Sequence, residues 1–230
     1  MYRPEGLNGA TMFFSKNPSG RSVQSELNIL MDYELVALSQ LDDAGLKRLA
    51  ELHHSVMHTL LSDLGLPLVF RYYQVARAEP SVVGICAVST SGDVLGWAMG
   101  SPYPDMINVG LRTPLMWFAL QMIRLVFTRP RVLWQLITSV LSSSTQAVSR
   151  GSIELTYIGV APDQRGKGLG SKLLDVFLEA SRMAAHRTVL LSVEKENAPA
   201  IALYEQAGFK IIKTFSEGRY QRHRMELILE

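Results

Sequence analysis

The stretch of sequence that decides the fold is IELTYIGVAPDQRGKGLG, residues 153–170. Its first part, Ile153–Val160, is mostly apolar and predicts a strand. A glycine-rich turn follows, and the amphipathic pattern of residues 168–185 then predicts a helix. Such a strand, turn and helix start bring free backbone N–H groups and the positive end of the helix dipole to one point. The stretch therefore predicts an anion site, to which Arg165 and Lys167 add formal charge.

The spacing of the glycines separates this turn from two common phosphate loops. The dinucleotide pattern G-x-G-x-x-G fails, because counting from Gly166 and Gly168 the third position is Ser171. The P-loop pattern G-x-x-x-x-G-K-[ST] is also absent from the sequence. A glycine-rich turn that binds no ligand stays open as the structural alternative.

Outward from this stretch, apolar periodicity predicts strands and helices that alternate along the chain. We predict strands at residues 33–40, 82–89, 94–100, 153–160, 188–193, 209–215 and 220–229, and helices at residues 42–64, 67–77, 115–127, 132–141, 168–185 and 198–206. The alternation predicts a mixed α/β sheet domain.

Composition excludes several classes of protein. The chain has 230 residues, 47% of them hydrophobic, and a formal net charge of +2. So small a basic excess argues against nucleic acid as a partner. A single cysteine, Cys86, excludes an internal disulfide framework and a Cys-based zinc site, and it fits a reducing compartment. His54 and His58 have a spacing that zinc could use, but neither is followed by the carboxylate of the zincin pattern, so we predict no metal.

Two blocks of sequence together resemble the GNAT superfamily of N-acetyltransferases. Arg165-Gly-Lys-Gly168-Leu-Gly170 fits [QR]-x-x-G-x-[GA], that family's signature for the acetyl-CoA pyrophosphate. Residues 197–209, NAPAIALYEQAGF, fit the family's N-x-x-A-x-x-L-Y-x-x-x-G-F block at every defined position. The order of the blocks and the distance between them also match. The resemblance is clear over residues 151–230 and looser over residues 33–100.

The resemblance implies a fold and an activity. The fold is a mixed, mostly antiparallel central sheet of about seven strands flanked by helices. The implied activity is acetyl-CoA-dependent N-acyl transfer, with the acetyl group moving from the CoA thioester to a primary amine by direct transfer in a ternary complex. A non-catalytic acyl-CoA-binding regulatory module is the alternative, and a protein-interaction domain that docks through residues 114–141 is a third hypothesis. The implied partners are therefore acetyl-CoA and an amine acceptor.

The resemblance also implies a cofactor site. The loop would hold the pyrophosphate, and the strand before it would pair with the amides of the pantetheine arm. Asn197 would contact the cofactor, act as a helix N-cap, or do both. The implied cofactor-binding residues are Ile158, Val160, Arg165, Gly166, Lys167, Gly168, Leu169, Gly170, Ser171 and Asn197.

Two residues are candidates for proton transfer. Tyr204 matches the family's tyrosine that acts as general acid toward the CoA sulfur, and the alternative is a packed helix tyrosine. By two-residue alternation Glu154 shares a strand face with Ile158, so it could relay a proton through water; the alternative is a surface carboxylate. The branch of the family that acetylates protein N-termini commonly has a glutamate where this chain has Ser192, which counts against that substrate class. Glu194 and Glu196 stay open as bases.

The domain organisation follows from the same patterns. We predict a flexible leader at residues 1–27 and a single GNAT-like domain at residues 28–230. The domain has a helical insertion at about residues 102–149, before the fourth strand. Arginines and a proline interrupt the apolar run at 114–141, so it predicts no spanning helix, and we expect a cytoplasmic protein. The alternative roles for this run are core packing, a homodimer contact, a cover over the acceptor site and a membrane-surface contact. Its methionines and tryptophans are Met116, Trp117, Met122 and Trp134.

Overall fold

The computed structural model describes residues 33–111, 114–128, 151–217 and 220–229. The predicted leader at residues 1–27 and the predicted helix at residues 132–141 lie outside the described residues, as does Trp134. The single-domain assignment therefore stays a prediction.

Seven strands and seven helices are described. The strands are β1 (Tyr33–Ala37), β2 (Val83–Ser89), β3 (Val94–Ser101), β4 (Ser152–Val160), β5 (Thr188–Glu194), β6 (Lys210–Glu217) and β7 (Tyr220–Ile228). The helices are α1 (Asp43–Val56), α2 (Leu60–Asp63), α3 (Leu66–Ala78), α4 (Pro104–Leu111), α5 (Leu115–Thr128), α6 (Leu169–Met183) and α7 (Ala198–Gln206).

Two predictions about these elements were wrong in detail, and one helix was not predicted. The first strand ends at Ala37, and one 3-10 turn occupies residues 38–40. The predicted helix at residues 42–64 is two helices, because the Thr59 hydroxyl accepts a hydrogen bond from the Ser62 N–H and so caps a new helix. Helix α4, which begins at Pro104, was not predicted, and its lack of a long apolar repeat explains why.

The sheet has the strand order β1-β2-β3-β4-β5-β7-β6. Neighbouring strands run antiparallel except β4 and β5, which are parallel. This arrangement confirms the predicted mixed, mostly antiparallel sheet of about seven strands, flanked by helices and with helices inserted before the fourth strand.

Helices cover both faces of the sheet and define two apolar clusters. On one face α1, α3 and α4 pack over β2 and β3, and Cys86 lies in this cluster with 1% of its surface exposed, as expected of a core residue. On the other face α6 and α7 pack over the centre of the sheet around Phe177. We call these the α3 face and the α6 face. Among the described helices none is long and apolar enough to cross a bilayer.

A β-bulge interrupts the middle of β4. Met99 of β3 pairs with Tyr157, whereas the next residue, Gly100, pairs with Leu155, so Thr156 is the extra residue. The bulge keeps both Leu155 and Ile158 on the α6 face and places Tyr157 on the α3 face. Strict alternation through β4 is therefore broken between Leu155 and Ile158.

Candidate active site

The candidate site begins where β4 and β5 separate. The two strands pair only from Ser152 with Thr188 to Leu155 with Leu191, although β4 continues to Val160 and β5 to Glu194. Beyond this point the described strands leave the β5-facing edge of β4 uncovered, while its other edge stays paired with β3. An uncovered strand edge is a row of backbone donors and acceptors that an extended chain of amides can pair with. Ile158 and Val160 lie on this stretch, with side chains partly buried against the α6-face cluster.

The loop after β4 has a backbone that only glycine adopts readily. Gly166 has φ of 73° and Gly168 has φ of 82°, both in the left-handed region. A Cβ at either position would meet no atom within 4 Å, so the glycines are needed for conformation rather than for close packing. Arg165 and Lys167 alternate with them and are exposed. The predicted loop residues therefore form an open, positively charged turn.

The start of α6 faces this turn without a side-chain cap. Gly168 is the N-cap residue and has no side chain to satisfy the first-turn N–H groups. The N–H groups of Leu169, Gly170 and Ser171 belong to the first turn, where helices leave backbone donors unpaired. Leu169 is 3% exposed and packs in the core, so only its backbone can contribute to a ligand. The arrangement suits a phosphate group, as the sequence predicted.

Both sequence blocks meet at Gly170. A Cβ there would lie 3.7 Å from Val160 Cγ2 and 3.8 Å from Leu203 Cδ2. The end of β4, the start of α6 and the middle of α7 are therefore in contact. Asn197 begins α7, and its side-chain oxygen accepts a hydrogen bond of 3.3 Å from the Ala200 N–H. The N-cap role of Asn197 is thus present, and its exposed position leaves its amide group accessible.

Tyr204 lies on α7, one residue after Leu203. Its side chain is 7% exposed and packs against Phe209 with ring centroids 5.8 Å apart. Burial raises the pKa of Tyr204 to about 12, so the phenol stays protonated in neutral solution and can donate a proton or a hydrogen bond. No hydrogen bond joins its hydroxyl to another of the described residues.

Glu154 does not share a face with Ile158, because the bulge at Thr156 separates the two positions. Instead its two carboxylate oxygens accept hydrogen bonds of 2.6 and 3.0 Å from the Arg224 guanidinium. Arg224 also donates a bond of 3.0 Å to the Ser192 hydroxyl. The prediction that alternation places Glu154 on the same face of the strand as Ile158 was wrong. Its side chain is 23% exposed and ion-paired, which also differs from a freely solvated surface carboxylate.

Arg224 is the functional candidate that sequence reasoning missed. It is 7% exposed and joins β4, β5 and β7 just where β4 and β5 separate. The next residue of β7, Met225, is fully buried in the α6-face cluster. Alternation along β7 therefore places residue 224 on the α3 face. Its partner Glu154 is 70 residues away, so the sequence around Arg224 does not indicate which residue it binds.

An aromatic cluster lies on the α3 face beside β4. His53 is fully buried, and its Nδ1 is 2.7 Å from the Tyr73 hydroxyl. Its ring also contacts Trp97 and Tyr157. Burial, with a smaller effect of neighbouring His54, lowers the pKa of His53 to about 4, so the imidazole is neutral. Within the described part of the chain, no group of three or more His, Cys, Asp or Glu side chains could hold a metal.

Gly159 is required by this cluster. It pairs directly with Trp97 across β3 and β4, and a Cβ on it would lie 2.6 Å from the indole ring. The bulge of β4 lies three residues earlier, at Thr156, so it does not account for this glycine.

Comparison with known proteins assigns the family. The model of the Acetyltransferase (GNAT) family matches residues 46–209, which is more than half of the 230 residues. The protein belongs to this family, as the two sequence blocks indicated. The match spans both core faces and the glycine loop.

Curated relatives match over short segments. A mycothiol acetyltransferase of Clavibacter sepedonicus is 43% identical over 63 residues, 27% of this chain and 21% of the relative. An L-methionine sulfoximine/L-methionine sulfone acetyltransferase of Pseudomonas paraeruginosa is 39% identical over 62 residues, 27% of this chain and 36% of the relative. The chain thus spans between about a fifth and a third of the length of these relatives.

Solved structures share the fold over most of the chain. yncA from Salmonella typhimurium, solved with its cofactor acetyl-CoA, has a TM-score of 0.55 at 18% identity and covers 86% of this chain and 95% of its own. A ribosomal-protein-alanine N-acetyltransferase from Brucella melitensis has a TM-score of 0.56 at 17% identity, covering 85% of this chain and 99% of its own. At such identities the likeness establishes the fold alone.

Proposed function

We propose that the protein is an acetyl-CoA-dependent N-acetyltransferase, which moves the acetyl group from the CoA thioester to a primary amine by direct transfer in a ternary complex. One observation carries the proposal. The end of β4, whose edge is uncovered, and the uncapped glycine loop meet α7 at Gly170 through Leu203, and Tyr204 is the next residue of that helix. These three parts match the three parts of an acyl-CoA molecule: the pantetheine arm, the pyrophosphate and the thioester sulfur.

Each part of the site has a role in the proposed reaction. The left-handed glycines and Arg165 and Lys167 would hold the pyrophosphate, and the edge of β4 would pair with the pantetheine amides. A backbone N–H of this edge would also stabilise the negative charge that develops on the thioester oxygen. The Tyr204 phenol would give its proton to the departing CoA thiolate, a transfer that its protonated state at neutral pH permits. Direct transfer requires no covalent enzyme intermediate, since both substrates occupy one cleft.

The remaining role is that of the base that removes the proton from the amine. Glu154 stays a candidate, acting through water, because it lies where β4 and β5 separate. In this proposal Glu154 would act on the acceptor side, because it lies on the α3 face with Arg224, whereas Ile158 of the CoA-binding strand lies on the α6 face. The relatives' printed names include a mycothiol and a methionine sulfoximine acetyltransferase, so small amines are the first acceptors to screen.

The experiment is a melting-temperature measurement with and without saturating acetyl-CoA. Ligand at 100 times its Kd adds about 2.7 kcal/mol to the stability of the native state, or about 5–10 °C for a chain of this length. The test variant is Gly168→Asp, which places a negative side chain in the anion loop. The matched control is Gly151→Asp, since Gly151 has a similar φ of 86° and equally open surroundings but lies outside the loop.

We expect the wild type and Gly151→Asp to shift and Gly168→Asp to lose the shift. A shift that persists in Gly168→Asp would place acetyl-CoA elsewhere. No shift in the wild type would reject the proposal and favour a protein-interaction domain.

Turnover then separates an enzyme from a non-catalytic acyl-CoA-binding module, which the ion-paired state of Glu154 keeps as the second candidate. Tyr204→Phe should retain the acetyl-CoA shift while CoA thiol release with an accepted amine falls at least tenfold. Unchanged turnover would remove Tyr204 from the mechanism. An acetyl-CoA shift without thiol release across a broad amine panel would support the binding module.

A further inference from the structure

A tyrosine of α3 packs over β4 close to the point where β4 and β5 separate. The ring centroid of Tyr72 is 5.7 Å from that of Tyr157, which is the second residue of β4 after the last pair with β5. Tyr72 is 4% exposed and belongs to the α3-face cluster, whereas Tyr157 is only partly buried. Tyr72 therefore lies at the inner end of a space that opens beside β4.

The hydroxyl of Tyr72 differs from that of the next residue. No hydrogen bond joins the Tyr72 hydroxyl to another of the described residues. The Tyr73 hydroxyl, in contrast, lies 2.7 Å from His53 Nδ1. Buried hydroxyl groups normally have a hydrogen-bond partner, and one that the protein itself leaves unpaired is typical of a position that a ligand or a water molecule fills. Tyr73 thus serves the core, and Tyr72 is the candidate for binding.

Glu154 lies within electrostatic reach of Tyr72. Burial raises the pKa of Tyr72 well above its usual value, and interactions with Tyr157 and then with Glu154 raise it further. The phenol is therefore neutral at physiological pH, and its oxygen can accept a hydrogen bond from an N–H group. The two oxygen-bearing side chains, one from α3 and one from β4, face the same space.

The Glu154 carboxylate can bind a ligand although it is ion-paired. Arg224 donates one hydrogen bond to each of its two oxygens. A carboxylate has about four acceptor positions, so Arg224 occupies about half of them. Arg224 also donates to the Ser192 hydroxyl, and this fixes the carboxylate where the strands separate. The Glu154 side chain is 23% exposed, so its remaining acceptor positions can be reached.

This pair of side chains lies across β4 from the groups proposed to hold the thioester. Tyr204 and Ile158 belong to the α6-face cluster, whereas Tyr72 belongs to the α3-face cluster. The uncovered edge of β4 lies between the two faces. An amine bound on the α3 face would therefore approach a thioester at this edge from the side opposite Tyr204. In that arrangement the amine and the departing thiolate occupy separate positions, as direct transfer requires.

We propose that the Tyr72 hydroxyl and the Glu154 carboxylate bind the acceptor amine, and that the acceptor is a primary amine on an apolar skeleton. This inference rests on the proposed function and names its acceptor site. The N–H groups of the amine donate hydrogen bonds to the two oxygens, and the rings of Tyr72 and Tyr157 contact the carbon atoms next to the nitrogen. An ammonium group gains both from a carboxylate and from a phenol ring.

The charges at this site disfavour an acceptor that carries a carboxylate beside its amine. The Arg224 guanidinium is already bonded to Glu154 and Ser192. A second carboxylate would lie close to that of Glu154 and compete with it for the same guanidinium, which costs free energy. An amine without a neighbouring carboxylate meets no such competition.

The test compares the two neighbouring tyrosines in thiol-release kinetics at saturating acetyl-CoA, with 2-phenylethylamine as the acceptor. Tyr72→Phe should raise the KM for the amine about five- to tenfold, because one hydrogen bond to the acceptor is lost. Its urea midpoint should stay near that of the wild type, since the hydroxyl bonds no described residue. Tyr73→Phe is the matched control. It should lower the urea midpoint, because His53 loses its partner, and leave the KM within about twofold of the wild type.

The acceptor class is tested with phenylalanine, which is 2-phenylethylamine with a carboxylate beside the amine. The wild-type kcat/KM should be at least about tenfold higher for 2-phenylethylamine than for phenylalanine. The two probes share the same ring and chain, so the difference reports the effect of the carboxylate.

Three kinetic results would overturn the proposal. They are an unchanged KM in Tyr72→Phe, equal changes of KM in the two variants, and a kcat/KM for phenylalanine that matches or exceeds that for 2-phenylethylamine. A wild type that acetylates other amines but not 2-phenylethylamine would also overturn it and leave the proposed function standing. A wild type without an acetyl-CoA melting shift rejects the proposed function itself, and this inference with it.

Discussion

The ion pair between Glu154 and Arg224 gives a prediction whose size follows from its burial. In Glu154→Ala the Arg224 guanidinium, 7% exposed, keeps one hydrogen bond to a described side chain, the Ser192 hydroxyl. Removing one partner of a buried ion pair costs about 3–5 kcal/mol, because the remaining charge is desolvated without compensation. Glu154 is itself 23% exposed, and water reaching the vacated position lowers the expected cost to about 2–3 kcal/mol. The melting temperature should fall by about 4–12 °C.

The assay is urea unfolding of a double-mutant cycle. Glu154→Ala and Arg224→Met are the single variants, and the double variant removes both charges. The double variant should be less destabilised than the sum of the two single variants, because no unpaired charge stays buried. A loss of less than about 0.5 kcal/mol in Glu154→Ala would refute the argument, since that is the usual effect of a surface substitution.

The conservative variant Glu154→Gln separates stability from chemistry. Its amide oxygen still accepts a hydrogen bond from Arg224, but the group cannot take up a proton at neutral pH. If Glu154 is the base, turnover should fall at least a hundredfold while the protein stays folded and binds acetyl-CoA. Full turnover in Glu154→Gln would limit this carboxylate to a structural role.

Two further predictions concern the α3 face. His53 has a pKa near 4 when folded and about 6.5 when unfolded, so the unfolded chain binds an extra proton between these values. Its contribution to stability is full above pH 6.5 and is lost as the pH falls toward 4, by about 2 kcal/mol at pH 5. Urea unfolding of the wild type should show this loss. The same loss in His53→Gln would contradict the prediction. Gly159→Ala should lower the free energy of unfolding by about 1–3 kcal/mol, because its Cβ overpacks against Trp97. Gly170→Ala, whose Cβ meets only ordinary contacts, should unfold near the wild-type urea concentration. Equal effects of the two substitutions would refute the crowding argument.

Most of the fold followed from the sequence because local signals agreed with the tertiary structure. The second and third strands join at a short polar turn, and the apolar run of β5 marks a strand buried in the middle of the sheet. Helix α7 begins at the predicted residue, where Asn197 caps it. The glycine loop was predicted from glycines between a strand and a helix together with the family signature, and the left-handed backbone at Gly166 and Gly168 is the reason that glycine stands there.

Features that apolar periodicity does not report were missed. The break between α1 and α2 requires the Thr59 cap, a choice that apolar periodicity does not report. The position of Arg224 depends on Glu154 and Ser192, which come from two other strands. Core packing was one of the alternatives that helical spacing left open for Met116, and its side chain is 75% exposed.

The bulge at Thr156 explains the arrangement of the whole candidate site. Pairing between β4 and β5 ends at Leu155, and the extra residue comes next. One inserted residue therefore coincides with the separation of the strands and reverses the faces of everything after it. Ile158 is thereby turned toward α6 and the glycine loop, while Glu154 stays with Arg224 on the α3 face. The signal was present in the sequence, since the apolar positions 153, 155, 158 and 160 are spaced by two, three and two, and a strand that keeps one buried face can make the step of three only through a bulge.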